Sequence, residues 1–305
     1  MFKGWLIVYK LCSAFFMAMV LVTLPASASS QPAVLASIKP VAMLIKAVVG
    51  DQLAVDVLLG ANISPHDYTL KFSDIRKVRN ADLVVWVGPE LEGVLVKSLT
   101  SVPVDKQLQL TGLASLQWPE ESINGDEHEG GHKAHTRDPH LWLNPRNSLV
   151  AVEAIAATLI EKYPEKGRLF EKNTYEFIRK INEIDSINKE RLGLVKENGF
   201  VVSHDGYGHF VDYYGLNQLA TIQLAGGVAQ GARHYGEIIA MGDKVTCIFS
   251  EPQLNNKSSM QLATQLDANR AELDLMGRDV ALTKDSYLQF FSRFTETFTE
   301  CLERK

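Results

Sequence analysis

Short apolar runs alternate with amphipathic helical stretches twice along this chain, and one long helical stretch separates the two series. In the first half "AVLASI" (33–38), "AVDVLL" (54–59) and "ADLVVWVG" (81–88) read as buried strands, with "KQLQL" (106–110) as a weaker fourth. Helical spacing fills 40–49, 71–80 and 90–99. In the second half the strands fall at 199–204, 219–224, 245–251 and 271–277, and the helices near 207–214, 232–241, 256–267 and 286–303. Strands that are apolar on both faces and alternate with helices pair in parallel, because the crossover helices cover the sheet. The pattern predicts an α/β protein of two similar lobes, each a mainly parallel four-stranded sheet flanked by helices.

The stretch between them, "KGRLFEKNTYEFIRKINEIDSINKERLGLVKENG" (166–199), has no proline and only Gly193 inside it. Its apolar positions, Leu169, Phe170, Phe177, Ile178, Ile181, Ile184 and Ile187, predict one rigid helix of about 30 residues. They do not hold the strict heptad that a coiled coil needs. The expected organisation is a lobe over 29–165, a linking helix over 166–198 and a second lobe over 199–305, with two independent cores. A single rigid helix between lobes limits their relative motion.

The N-terminus has Lys3 and Lys10, an apolar run from Leu11 to Leu24 and the small-residue pattern Ala26-Ser27-Ala28. This is the layout of a cleaved signal peptide over 1–28, because the apolar run is shorter than the ~20 residues a membrane span needs. The mature chain is expected to be soluble and exported. With Lys3 and Lys10 removed from 31 basic residues against 36 acidic ones, its formal net charge is −7. Nucleic acid is a poor partner for such a surface. Removal of Cys12 with the signal leaves Cys247 and Cys301, for which an oxidising compartment predicts one disulfide; two free thiols are the alternative.

Three of the eight histidines sit in similar local settings. His66 follows a strand in "NISPHDYTLKFSDI", His140 precedes a helix opened by Pro145 in "DPHLWLNP", and His204 ends a strand in "FVVSHDGYGHF". Folds of this kind bind ligands beyond the carboxyl ends of parallel strands. Asp274 in "LDLMG" occupies a comparable position in the second half. Three neutral imidazoles completed by a carboxylate or a water form a tetrahedral set suited to Zn²⁺.

"SPHDYTLKFSDIRKVRNADLVVWVGPELEGVL" (64–95), "DPHLWLNP" (138–145), "SHDGYGHFVDYYGL" (203–216), "SEPQ" (250–253) and "LDLMG" (273–277), in this order after a signal peptide, closely resemble the periplasmic zinc-binding proteins of ABC importers, the ZnuA type. The resemblance implies His66, His140 and His204 as zinc ligands, with Asp274 where related proteins place a fourth, acidic ligand. Manganese-binding relatives are similar but carry a carboxylate at the position of His204. Several zinc proteins of this type have a glutamate just before the first ligand, where this chain has Pro65. The implied function is Zn²⁺ capture in the periplasm and delivery to an inner-membrane ABC permease driven by its ATPase, by a monomer. Binding of manganese or another transition metal is the alternative within the family.

Zinc members of that family often carry a His- and acid-rich loop between the first two ligands. Here it is "NGDEHEGGHKAHTRD" (124–138), with His128, His132 and His135 flanked by Asp126, Glu127 and Glu129. Its glycines and lack of large apolar residues exclude a preorganised tight site; the expectation is a weak zinc collector that serves the main site, with a solvated surface loop carrying incidental histidines as the alternative. Of the remaining groups, His209 is expected on a helix surface and His234 in a structural role. Glu251 is expected to accept the second N–H of a ligand imidazole.

A catalytic zinc site needs a general base beside an open position, as in H-E-x-x-H, and that motif is absent; so are G-x-S-x-G and a phosphate-binding glycine loop. An exported metallohydrolase is therefore the weaker expectation, and the chain reads as a binding protein rather than an enzyme. An adhesin that uses zinc for stability would lose its fold with its metal. A capture protein must stay folded when empty.

Overall fold

A computed structural model describes residues 33–120, 137–223 and 231–303 of the chain. The signal segment 1–28 and His128, His132 and His135 lie outside the described residues. The first sheet holds β1 (Val34–Ala36), β2 (Val55–Val57), β3 (Leu83–Trp86) and β4 (Gln107–Gln109), in spatial order β2-β1-β3-β4. The second holds β5 (Gly199–His204), β6 (Gln218–Gln223), β7 (Val245–Ser250) and β8 (Asn269–Glu272), in order β6-β5-β7-β8. All neighbours pair in parallel, so the two lobes repeat one topology.

In each sheet the chain leaves the first strand to one side and returns to the other. The carboxyl ends of β1 and β3, and of β5 and β7, therefore flank the switch points where such sheets open a crevice. α1 (Lys39–Val49), α2 (Phe72–Asn80) and α3 (Gly93–Leu99) serve the first sheet, and α6 (Gly208–Tyr214), α7 (Ala232–Ala240) and α8 (Lys257–Leu266) the second. α4 (Pro145–Lys162) starts where its sequence says it should. Pro145 supplies a pre-set φ at the first position, and the Asn144 side chain accepts from Arg146 N at 2.8 Å.

The linking helix α5 runs unbroken over Gly167–Val195, 29 residues. Phe170, Phe177, Ile181, Leu192 and Val195 are buried, whereas Leu169 and Ile187 are exposed. Polar groups fasten the buried face. Asn173 Nδ2 donates to Val48 O of α1 at 2.8 Å, and Asp185 accepts from Tyr213 and Tyr214 hydroxyls of α6 at 2.8 and 3.0 Å. Asn188 Nδ2 donates to Thr295 Oγ1 of α9 (Ser286–Glu303) at 3.0 Å.

The expectation of two independent cores is overturned. One continuous apolar cluster joins Val34, Leu35 and Ala36 of the first sheet to Phe200, Val202 and Phe249 of the second, through α1, α4, α5 and α9. The alternation of side chains along β5 decides which residues enter it: Phe200 and Val202 face the shared core, while Val201 faces a smaller cluster with Ile222, Ile238 and Ile248. The aromatic face of α9 closes the shared core, with Phe298 stacked on Phe249 at 4.6 Å. The inner faces of the two sheets therefore share one core, while the second lobe buries its other face by itself.

β8 begins two residues earlier than expected and stops at Glu272, so "LDLMG" forms a turn rather than a strand. Asp274 causes this, because its carboxylate accepts from the backbone N–H groups of Met276 and Arg278. That turn reaches across to the first lobe: Trp142 Nε1 donates to Leu275 O at 2.9 Å and Lys39 Nζ to Arg278 O at 2.8 Å. Cys247 of β7 and Cys301 of α9 form a disulfide, Cα–Cα 5.9 Å, across a separation of 54 residues. No described helix is long and apolar enough to cross a membrane.

Candidate metal centre

His66 lies in a short 3-10 turn, Pro65–Asp67, between β2 and α2. The Tyr68 hydroxyl donates to Asp74 Oδ2 at 2.8 Å and ties that turn to the start of α2. His140 precedes the turn Leu141–Leu143 that feeds α4, and His204 is the last residue of β5. The three imidazoles converge, with ring centroids 5.5 Å (His66–His140), 6.1 Å (His66–His204) and 5.2 Å (His140–His204) apart. Each offers one nitrogen, and these atoms all lie within 4.8 Å of one another. Among the described residues no other His, Cys, Asp or Glu joins such a group.

Two of the rings are oriented by carboxylates. His140 Nδ1 donates to Asp138 Oδ1 at 2.7 Å, and the same oxygen accepts the His140 backbone N–H at 2.9 Å. His204 Nδ1 donates to Glu251 Oε1 at 2.5 Å. A carboxylate accepts only, so both rings carry their proton on Nδ1 and keep the Nε2 lone pair free. The Nε2 atoms of His66 and His204 are buried and have no hydrogen-bond partner. Buried polar atoms are normally paired, so two orphaned imidazole nitrogens within 4.8 Å of each other make this group one that could hold a metal ion.

Burial above all, with the two neighbouring histidines adding to it, pushes the imidazole of His66 down to about 3. Burial also presses on His204, but the Glu251 carboxylate overrides it and holds that imidazole above its ordinary value. Burial likewise opposes the charge on Asp138, yet the adjacent His140 keeps its carboxyl well below the usual carboxylate range. Asp138 therefore stays charged behind His140, and the three imidazoles line a recess beside Trp142 and Met276.

Asp274 lies outside the histidine group. One of its oxygens takes Met276 N and Gln253 Nε2, and the other takes Arg278 N, so three of about four acceptor sites are occupied. His209, expected on a helix surface, is 1% exposed. Its Nε2 donates to Asp138 O at 2.9 Å, and its Nδ1 accepts from Asn147 Nδ2 at 3.2 Å, which steadies the segment that carries His140. His234 Nε2 donates to Thr221 O at 2.7 Å, a structural bond. Glu251 accepts from His204 as expected, and from the hydroxyl of buried Tyr207 at 2.9 Å as well.

Sequence reasoning did not single out Asp138, although an acid two residues before a candidate ligand was a usable signal. It also missed Gly206. A Cβ there would run into His204 Nε2 and lie 2.9 Å from His140 Cε1, so only glycine lets the chain pass this close to both rings.

The chain is 31% identical to the high-affinity zinc uptake system protein ZnuA of Haemophilus influenzae, covering 89% of this chain and 93% of that one. It is 34% identical to the ZnuA protein of Haemophilus ducreyi, covering 88% and 93%. A crystal structure of ZnuA superposes with a TM-score of 0.75 at 21% identity, over 88% of this chain and 98% of that chain, which shows a shared fold. The family model for the periplasmic component A of zinc-uptake complexes matches residues 34–301, and the chain belongs to that ZnuA family.

Proposed function

We propose that this chain captures Zn²⁺ between its two lobes with His66, His140 and His204 and hands it to an inner-membrane ABC permease driven by its ATPase. The observation that carries this reading is the pair of buried, unpartnered Nε2 atoms on His66 and His204 in a trio whose ligand atoms lie within 4.8 Å of one another. Nitrogen ligation of this kind suits zinc over manganese, which favours oxygen. Family members are components of a transporter, not enzymes. In this reading the protein is periplasmic, exported by the segment 1–28, and acts as a monomer with lobes over 29–165 and 199–305 joined by 166–198.

His128, His132 and His135 extend the reading as a weak auxiliary collector. The residues that bracket this stretch support it. Arg137 stands over the Trp118 ring at 4.9 Å, and that ring packs on His209 at 5.6 Å, so described residues before and after the stretch meet beside the segment carrying His140.

The test is calorimetric titration of the metal-free mature protein with Zn²⁺ and Mn²⁺, beside a His66→Ala/His140→Ala/His204→Ala variant. One tight zinc site that the variant lacks is the expected result. Tight binding retained in the variant would move the principal site elsewhere.

A further inference from the structure

Three imidazoles leave a tetrahedral zinc one vertex short. No fourth His, Cys, Asp or Glu among the described residues joins the group, and Asp274 is committed to its turn. Besides the histidines, one polar side chain in the wall of the same recess has a fully buried atom without a partner. Gln253 lines the recess with the three histidines, and its Oε1 is buried without a hydrogen-bond partner.

The orientation of that amide is set by chemistry. Gln253 Nε2 donates to Ala61 O at 2.8 Å and to Asp274 Oδ1 at 2.9 Å. A carbonyl oxygen and a carboxylate oxygen that already takes Met276 N can only accept, so the NH₂ must face them. The carbonyl oxygen is thereby turned away from Ala61 and Asp274 with nothing to accept from. A buried amide oxygen left in this state costs stability, and the group is held in place from both lobes, since Ala61 precedes His66 by five residues in the first lobe and Asp274 belongs to the second.

We infer that Gln253 Oε1 is the acceptor for the water that completes the coordination of zinc bound by the three histidines. The inference rests on the zinc reading above and adds a positioning residue to it. A zinc-bound water is a strong donor, because the metal withdraws charge from its oxygen. An amide oxygen holds that water by one hydrogen bond but takes no proton from it, unlike a carboxylate, which would act as a general base. The site therefore orders the fourth ligand without activating it for hydrolysis, as a cargo site requires. The same amide joins the two lobes through its NH₂, so filling the fourth position loads a side chain that already spans them.

The test compares Zn²⁺ affinity, by competition with a chelator, in the mature protein and in Gln253→Met, Gln253→Ala and Gln253→Glu. Removing an outer-shell partner of a metal site lowers affinity by about 10- to 100-fold, and that loss is expected for Q253M and Q253A. Q253E keeps an accepting oxygen but turns the other against Ala61 O and Asp274 Oδ1, so it is expected to bind zinc more weakly than the wild type and more tightly than Q253M. A Q253E as weak as Q253M would overturn the inference and leave the amide as a clamp alone. Wild-type affinity in a folded Q253M or Q253A would overturn it as well. Thermal melts of the metal-free variants identify which have folded, and either apolar variant suffices for the comparison. The triple histidine variant runs in parallel: if it keeps tight zinc, the zinc reading and this inference fall together. If it loses zinc while Q253M does not, the inference about Gln253 falls alone.

Discussion

His204 Nδ1 stands 2.5 Å from Glu251 Oε1, and that oxygen also accepts from Tyr207 at 2.9 Å. The carboxylate fixes the tautomer of His204 and raises its proton affinity at the same time, so in the proposed site it orients the imidazole and also strengthens the proton with which zinc must compete. Glu251→Gln can no longer do either as an anion. Zinc affinity of the variant is expected to fall about 10- to 100-fold at pH 7.5. In the wild type affinity should drop as pH falls through the raised value of His204, whereas His66, pushed down to about 3, carries no proton to displace in that range. The pH-dependent loss should begin at lower pH in the variant, because His204 then loses the charge that holds it up. Titrations between pH 8 and 5.5 check both; a flat wild-type profile would contradict the ligand assignment.

Gly206→Ala isolates close approach from chemistry. Gly206 is not among the residues with positive φ, so alanine fits its backbone, and the strain falls on the rings of His204 and His140. The metal-free variant is expected to melt near the wild type while its zinc affinity drops about 10- to 100-fold, the range for disturbing ligand orientation. An unchanged affinity would show that the rings do not need this space.

The two sheets and the linking helix were legible because their signals are local: short valine-rich runs, a proline-free stretch from 167 to 195, Pro145 opening α4. His66, His140 and His204 were legible as strand-end or helix-start residues. The shared core was not, because nothing in the period of α5 or α9 says that one face touches both sheets. The burial of His209 was hidden for the same reason: its partners, Asn147 and the carbonyl of Asp138, lie 62 and 71 residues away. Asp274 was expected within a strand, and it lies in the turn after β8, which leaves no periodic trace in the sequence.

Glu92 offers a pH effect apart from the metal. It is fully buried, accepts from Gly88 N at 2.9 Å, and burial raises its carboxyl to about 7. The folded state therefore holds a proton that the unfolded chain releases above about 4.5. This contribution is fully present below that value and is lost as pH rises through about 7, amounting to about 3 kcal/mol. Glu92→Gln cannot ionise and keeps one of the two oxygens that accept from Val87 N and Gly88 N, so it adds an offset that does not vary with pH. The stability of metal-free wild type relative to E92Q is expected to decline between pH 4.5 and 8; a constant difference would show that the carboxyl titrates normally.

Removing residues 124–137 tests the auxiliary collector. The three-histidine site keeps its described residues, so one tight zinc per chain is expected to remain. Weaker additional binding should disappear, and uptake from limiting zinc should slow. Unchanged stoichiometry together with unchanged transfer would leave His128, His132 and His135 without a part in capture.

Reduction of Cys247–Cys301 should separate stability from binding. Closing a 54-residue separation constrains the unfolded chain by about 4 kcal/mol in the chain-entropy account. At 2–4 °C per kcal/mol for a chain somewhat smaller than this one, the melting temperature should fall by about 10 °C. Cys247 lies four residues before Glu251, and four residues of strand span about 13 Å, so the cystine sits toward the opposite end of β7 from the histidines. The reduced protein is therefore expected to keep its zinc affinity at 25 °C while melting earlier. Loss of zinc binding on reduction, at a temperature where the circular dichroism is unchanged, would show that the geometry of β7 is transmitted along its length to Glu251 and His204.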